Sequence, residues 1–201
     1  MRSRILKTET ELAQFAGEFQ ARGNAVSMEY LRQSQVRAFF SAKGEMVAGY
    51  ARNTERPLRY EGWIPGEHRA GIALLSSNRK LCELTCIWIA GREGKISSEK
   101  VYLYSVIDAI LSGADYVLGG TLSAVVFGIQ TQSLPDLLYS GTTEYFGTPR
   151  QCWVYCASRG ALIGKLMTVF PYNMVMSALG KPVYLNRARS RARRIRVPSV
   201  N

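Results

Sequence analysis

The residues best suited to chemistry lie between positions 82 and 100, in "CELTCIWIAGREGKISSEK". An apolar run ends at Ala90, Gly91 and Gly94 follow with Arg92 and Lys95 beside them, and Ser97 and Ser98 precede a run with helical spacing. A strand that feeds a glycine-spaced loop and then a helix start aims backbone N–H groups at one point. The positive end of the helix dipole adds to them, which is the chemistry of a phosphate grip. Arg92 and Lys95 bring side-chain charge to the same place. A plain β–α connection with a solvated Arg and Lys accommodates these residues too, because Gly-x-x-Gly alone is a common pattern.

Other reactive side chains point to less. His68 is the sole histidine, in "PGEHRAG", a loop composition that reads as a surface residue. It leaves a His-based triad or a zinc site short of partners. A G-x-S-x-G elbow is absent, so hydrolase chemistry of that kind is unsupported. The cysteines fall as Cys82/Cys86 and Cys152/Cys156. A spacing of four puts each pair on one face, roughly 13 Å apart in a strand, which is too far to share a metal within a pair. Buried reduced thiols are expected, and no metal.

The elements that must position these residues are legible in outline. A short strand is expected around Arg4 to Lys7. Thr8 and Glu11 form a capping box ahead of Leu12, Phe15, Ala16 and Phe19 at helical spacing. "VRAFFSAKGEMVAGYARN" reads as a hairpin turning at Gly44, and residues 54–80 as an irregular insertion on the substrate side. "LCELTCIWIA" is a strand, and Val101, Tyr104, Ile107 and Leu111 mark the face of a helix that stops near Gly113. "DYVLGGTL" is a strand, Pro135 suits the first turn of a short helix ending at Gly141, and "PRQCWVYCAS" is a strand. The apolar segments beyond it are interrupted by Pro171 and Pro182.

Charge divides the chain. Of the net +11 over 201 residues, six charges come from Arg187, Arg189, Arg191, Arg193, Arg194 and Arg196, so the remainder carries 11 − 6 = +5. One domain over 1–186 and an arginine-rich tail over 187–201 are expected. The tail suits nucleic acid, an anionic membrane or an acidic protein. No signal-peptide pattern opens the sequence, and the longest uncharged run, from Tyr116 to Pro135, carries too many polar residues and glycines for a bilayer span. A cytoplasmic location is expected.

The order of elements, with "GEMVAGYARN" as third strand and "LPDLLYSGTTEYFGTPRQCWVY" toward the end, resembles the GNAT superfamily of acyltransferases over roughly Arg4 to Ser158. The resemblance implies an α+β fold with a mixed, mostly antiparallel central sheet flanked by helices. It implies transfer of an acyl group from a CoA or acyl-carrier-protein thioester to an amine acceptor. The loop would then hold the donor's phosphates, with Gly91, Arg92, Gly94, Lys95, Ser97 and Ser98 around them and main-chain N–H near Ile89 meeting the thioester oxygen. Relatives carry their general base on the strand before the loop, which implicates Glu83. Tyr139 in "LLYSG" matches the tyrosine that protonates the departing thiolate. "AGREGKISS" departs from the family's usual Arg/Gln-x-x-Gly-x-Gly/Ala pattern. Two function classes therefore stand: an acyltransferase, or a domain of the same shape without chemistry that binds nucleic acid or an anionic membrane through its basic tail.

Overall fold

A computed structural model describes residues 2–90 and 97–178, with side chains as far as residue 168. The chain packs as two compact units, one built from residues 1–58 and 80–114, the other from 59–79 and 115–201.

The first unit is an antiparallel sheet with helices on both faces. Its strands are β1 (Arg2–Ile5), β2 (Gln35–Phe40), β3 (Met46–Asn53) and β4 (Leu81–Ile89), neighbours in that order. Thr8 caps α1 (Glu9–Gln20) through the expected box: its hydroxyl accepts the Glu11 N–H, and the Glu11 carboxylate accepts the Thr8 N–H. The β2–β3 hairpin turns at Gly44, where φ is +84°. A second helix, α2 (Met28–Gln33), was not expected from the sequence. It is capped by Ser27, whose hydroxyl accepts the Tyr30 N–H.

Alternation along β2 sends Val36 and Ala38 to one face and Arg37 and Phe39 to the other. The first face packs under α1 and α2, in a core of Leu12, Phe15, Phe19, Leu31, Met46 and Trp88. Gly49 of β3 makes that packing possible. A Cβ there would lie 2.6 Å from the Phe15 ring, so the ring occupies the space a side chain would fill. The opposite face receives α5 (Ser98–Leu111), with Phe39 edge-on to Tyr104 at 5.5 Å.

The second unit pairs β5 (Tyr116–Thr121), β7 (Thr148–Ser158) and β6 (Asp136–Tyr145), antiparallel with β7 between the other two. Residues 54–80, expected to be irregular, carry a single 3-10 turn at Glu61–Trp63 and two short helices, α3 (Gly66–Ala70) and α4 (Ala73–Ser76). Ser123 caps α6 (Ala124–Gln130). The last helix, α7 (Arg159–Ala178), runs through Pro171; Pro182 and the arginine tail lie outside the described residues.

One element is corrected outright: Leu137 to Gly141 form strand, not the short helix read from Pro135. Thr142, Thr143 and Tyr145 extend the segment with strand-favouring side chains, and it pairs from Asp136 opposite Cys156 to Tyr145 opposite Thr148. Pro135 stands just before the strand, where its missing N–H costs no ladder bond. The hairpin turns at Phe146 and Gly147, with φ of +53° and +68°.

Candidate functional site

In the first unit the site is built on β4. Glu83 is fully buried, opposite Asn53 in the ladder with β3. The hydroxyl of Tyr30, from α2, donates to Glu83 Oε1. Three residues further on, the ladder slips: Gly49 faces Trp88 and Ala51 faces Thr85, so Tyr50 opposes both Cys86 and Ile87. Cys86 takes a φ of +52°, the mark of a bulge. Such an insertion bends the strand and breaks the regular N–H to C=O alternation beside it. Ile89, where an N–H for a thioester oxygen was expected, is back in register opposite Ala48, and the Ala90 N–H donates to Val47 O at 2.8 Å.

Residues 91–96, which hold Gly91, Arg92, Gly94 and Lys95, lie outside the described residues. The structure resumes at Ser97, the cap of α5, whose hydroxyl accepts the Lys100 N–H at 3.3 Å. Ser98 opens the helix. The strand and helix expected on either side of the loop are therefore both present.

A buried polar cluster fixes α5 against the sheet. Asp108 takes a two-pronged contact from Arg37 on β2 (Nε to Oδ2 2.7 Å, Nη2 to Oδ1 3.1 Å) and the Tyr50 hydroxyl at 2.6 Å. Its carbonyl accepts from Arg52 Nη1 at 2.9 Å. Hydrogen bonding to Asp108 raises the Arg37 pKa, and burial, reinforced by the same carboxylate, holds the Tyr50 hydroxyl above its ordinary range. The cluster also revises the helix face. Val101, Ser105, Val106, Asp108 and Ala109 are buried, whereas Leu111, read as part of the apolar face, is 74 % exposed. Arg37 on β2 and Tyr50 on β3 engage the Asp108 carboxylate, and Arg52 its carbonyl, so this face of the helix lies toward the sheet.

Tyr139 belongs to the second unit, on β6. It is half-buried, its hydroxyl 3.4 Å from the Thr142 carbonyl and its ring 5.5 Å from that of His68. A Cβ on Gly141 would meet the Tyr139 hydroxyl, so the glycine leaves room for the phenol. Desolvation raises the Tyr139 pKa, with smaller contributions from Cys152 and Glu67. The hydroxyl is therefore protonated at neutral pH and able to donate. His68 is exposed, on α3. All four cysteines are buried free thiols, and no group of three metal-ligating side chains forms among the described residues.

Sequence reasoning missed Tyr30, Arg37, Tyr50 and Asp108. The signal for Asp108 was present as a lone acid within the apolar "SVIDAIL". Tyr30 had no comparable mark, since its helix is six residues long and its partner lies 53 positions away.

Comparison with solved structures decides what this architecture is. FeeM, an N-acyl amino acid synthase from uncultured soil microbes, superposes with a TM-score of 0.58 at 13 % identity, over 80 % of this chain and 96 % of that one. The fold is that of the GNAT N-acyltransferases. The same GNAT fold is shared with the ribosomal-protein-alanine N-acetyltransferase of Brucella melitensis (TM-score 0.51, 15 % identity, 79 % and 99 % of the two chains). It is shared too with YncA of Salmonella typhimurium, solved with its cofactor acetyl-CoA (0.51, 10 %, 79 % and 94 %). No family model matches the sequence. No curated protein matches it either.

Proposed function

We propose that this chain is a divergent GNAT acyltransferase that moves an acyl group from a CoA or acyl-carrier-protein thioester to an amine. The observation that carries the proposal is the arrangement of β4 and α5: a bulged strand bearing a buried carboxylate, then a glycine-spaced basic segment, then a serine-capped helix start. The likeness to a structure holding acetyl-CoA supports a CoA donor. The likeness to FeeM makes amino acids the first acceptor class to try.

In this proposal the donor phosphates meet the free N–H groups at the start of α5, next to Ser97 and Ser98, with Gly91 and Gly94 allowing close approach and Arg92 and Lys95 adding charge. Main-chain N–H between the bulge and Ile89 faces the thioester oxygen and stabilises the negative charge that develops there. Glu83 receives the proton of the acceptor ammonium, and Tyr139 returns one to the departing thiolate. Residues 1–186 form the catalytic domain, and Arg187 to Arg196 supply a separate charged segment suited to an acidic carrier protein, nucleic acid or an anionic membrane. No metal takes part in these steps.

Calorimetric titration with acyl-CoA and acyl-carrier-protein thioesters tests this, on the native chain and on Arg92→Ala/Lys95→Ala. Donor binding that weakens about tenfold or more in the double variant is expected. A folded chain that binds no thioester would sink the proposal.

A further inference from the structure

Glu83 is placed where a base cannot reach a substrate directly. It has no accessible surface, whereas an acceptor amine must come from solvent. One residue that contacts its carboxylate, Tyr30, is itself half-buried and so reaches toward solvent. A carboxylate held inside a sheet is costly relative to an apolar residue of like size, a cost of the kind associated with function.

We infer that Tyr30 is the group that meets the acceptor amine, and that it relays the ammonium proton to Glu83. This inference rests on the acyl-transfer proposal above and refines it. The acceptor ammonium gives one proton to the Tyr30 oxygen as the Tyr30 hydroxyl proton passes to Glu83 Oε1. The amine becomes neutral and nucleophilic, the tyrosine is unchanged, and the carboxylate becomes a carboxylic acid. The neutral amine attacks the thioester carbon, the C–S bond breaks, and the second nitrogen proton makes good the one that Tyr139 gives to the departing thiolate. After the amide departs, the proton on Glu83 returns to solvent by the reverse path. No oxidant or other reactant is required.

Across the ladder from Glu83 stands Asn53, 1 % exposed, whose side chain is engaged with the Glu55 backbone through both its oxygen and its nitrogen. Cys82 on the same strand, and Arg52 and Asp108 beyond it, belong to the opposite face of the sheet. On α2, Glu29 and Arg32 are exposed, which leaves Tyr30 as the residue of that helix turned to the carboxylate.

The test is the pH dependence of kcat/KM with the thioester bound in the donor titration and an amino acid that it acylates, for the native chain, Tyr30→Phe, Glu83→Gln and the double variant. In the native enzyme the enzyme's own base removes the ammonium proton, so activity persists well below the pKa of the amine. In both single variants the rate is expected to fall at least about 100-fold at neutral pH. It should then climb about tenfold per pH unit until the amine's own pKa, because only amine already neutral can react. The double variant should be no worse than the poorer single one. Donor binding by calorimetry and the thermal midpoint should stay near native in Tyr30→Phe, which a purely structural role would not predict. Glu83→Gln keeps the side-chain shape and interrogates the relay from its other end. A native pH profile in Tyr30→Phe, or losses that add in the double variant, would overturn the relay while leaving acyl transfer standing. Absence of transfer by the native chain from every thioester would instead overturn the underlying function.

Discussion

Cys82, Cys152 and Cys156 have their thiols pushed up to about 11, 11 and 12, in each case chiefly by burial. At neutral pH they are protonated, and the thiol form is a poor nucleophile. A colorimetric thiol reagent is therefore expected to modify the native protein slowly and all four cysteines at once after unfolding; rapid native labelling of any of them would contradict the packing. This outcome was legible in the sequence, because spacing alone argued against a shared metal and left burial as the remaining role. The contact between Tyr30 and Glu83 was not, since a pairing across 53 positions leaves no local period to detect. Tyr139 was found by its neighbours in the sequence, but those neighbours form strand rather than helix, so its proposed role must be tested on the strand position it occupies.

Elements held by local contacts were the ones the sequence predicted well. The α1 cap is encoded within four residues, and Thr8→Ala is expected to cost about 1 kcal/mol, lowering the thermal midpoint by about 3 °C. Glu11 gives the same cap a pH dependence. Backbone bonds from Lys7 first, then Arg4 and the Thr8 N–H, lower its pKa from 4.5 to about 2. A carboxylate depressed on folding stabilises above its unfolded pKa and loses that contribution as pH falls through the folded one. Part of the stability should therefore fade between about pH 4.5 and 2, and Glu11→Gln should flatten that section of a denaturation series. Elements fixed by distant partners were misread. The face of α5 follows Asp108 rather than apolar periodicity, and β6 follows its long ladder with β7 rather than Pro135. Asp108→Ala leaves Arg37 without its buried partner, side chains that are 17 % and 10 % exposed. It is expected to destabilise by about 3 kcal/mol, measured by urea unfolding.

At the scale of the whole molecule, composition sets an arginine-rich tail apart from the rest of the chain. More than half of the net charge of +11 comes from the six tail arginines. A chain ending at residue 186 should keep its cooperative thermal transition and its donor binding, yet leave a heparin column at distinctly lower salt. Loss of the transition would show that the domain extends into the tail. Among the described residues no helix is long and apolar enough to cross a membrane. The mostly antiparallel sheet was implied by the family resemblance, with the β2–β3 hairpin readable from its own turn residues, whereas the way the chain divides into two units, each assembled from separated segments, was not legible. Residues 58 and 71 apart in sequence are brought together by buried hydrogen bonds and charge, as Tyr50 and Arg37 are with Asp108, and these leave no signature in composition.

The turn between β6 and β7 has a consequence for anyone producing this protein. Phe146 occupies a left-handed backbone position that bulky residues adopt at a cost of about 1 kcal/mol, and its ring stands 68 % exposed. The ring lies edge-on to Tyr145 at 4.6 Å, and the two together make a small exposed aromatic surface at the tip of the hairpin. Asparagine followed by Gly147 is the pair such a tight turn favours. Phe146→Asn is expected to raise the concentration at which the protein precipitates while leaving the melting temperature equal or up to about 3 °C higher. That makes this tip the natural first change for crystallisation or storage.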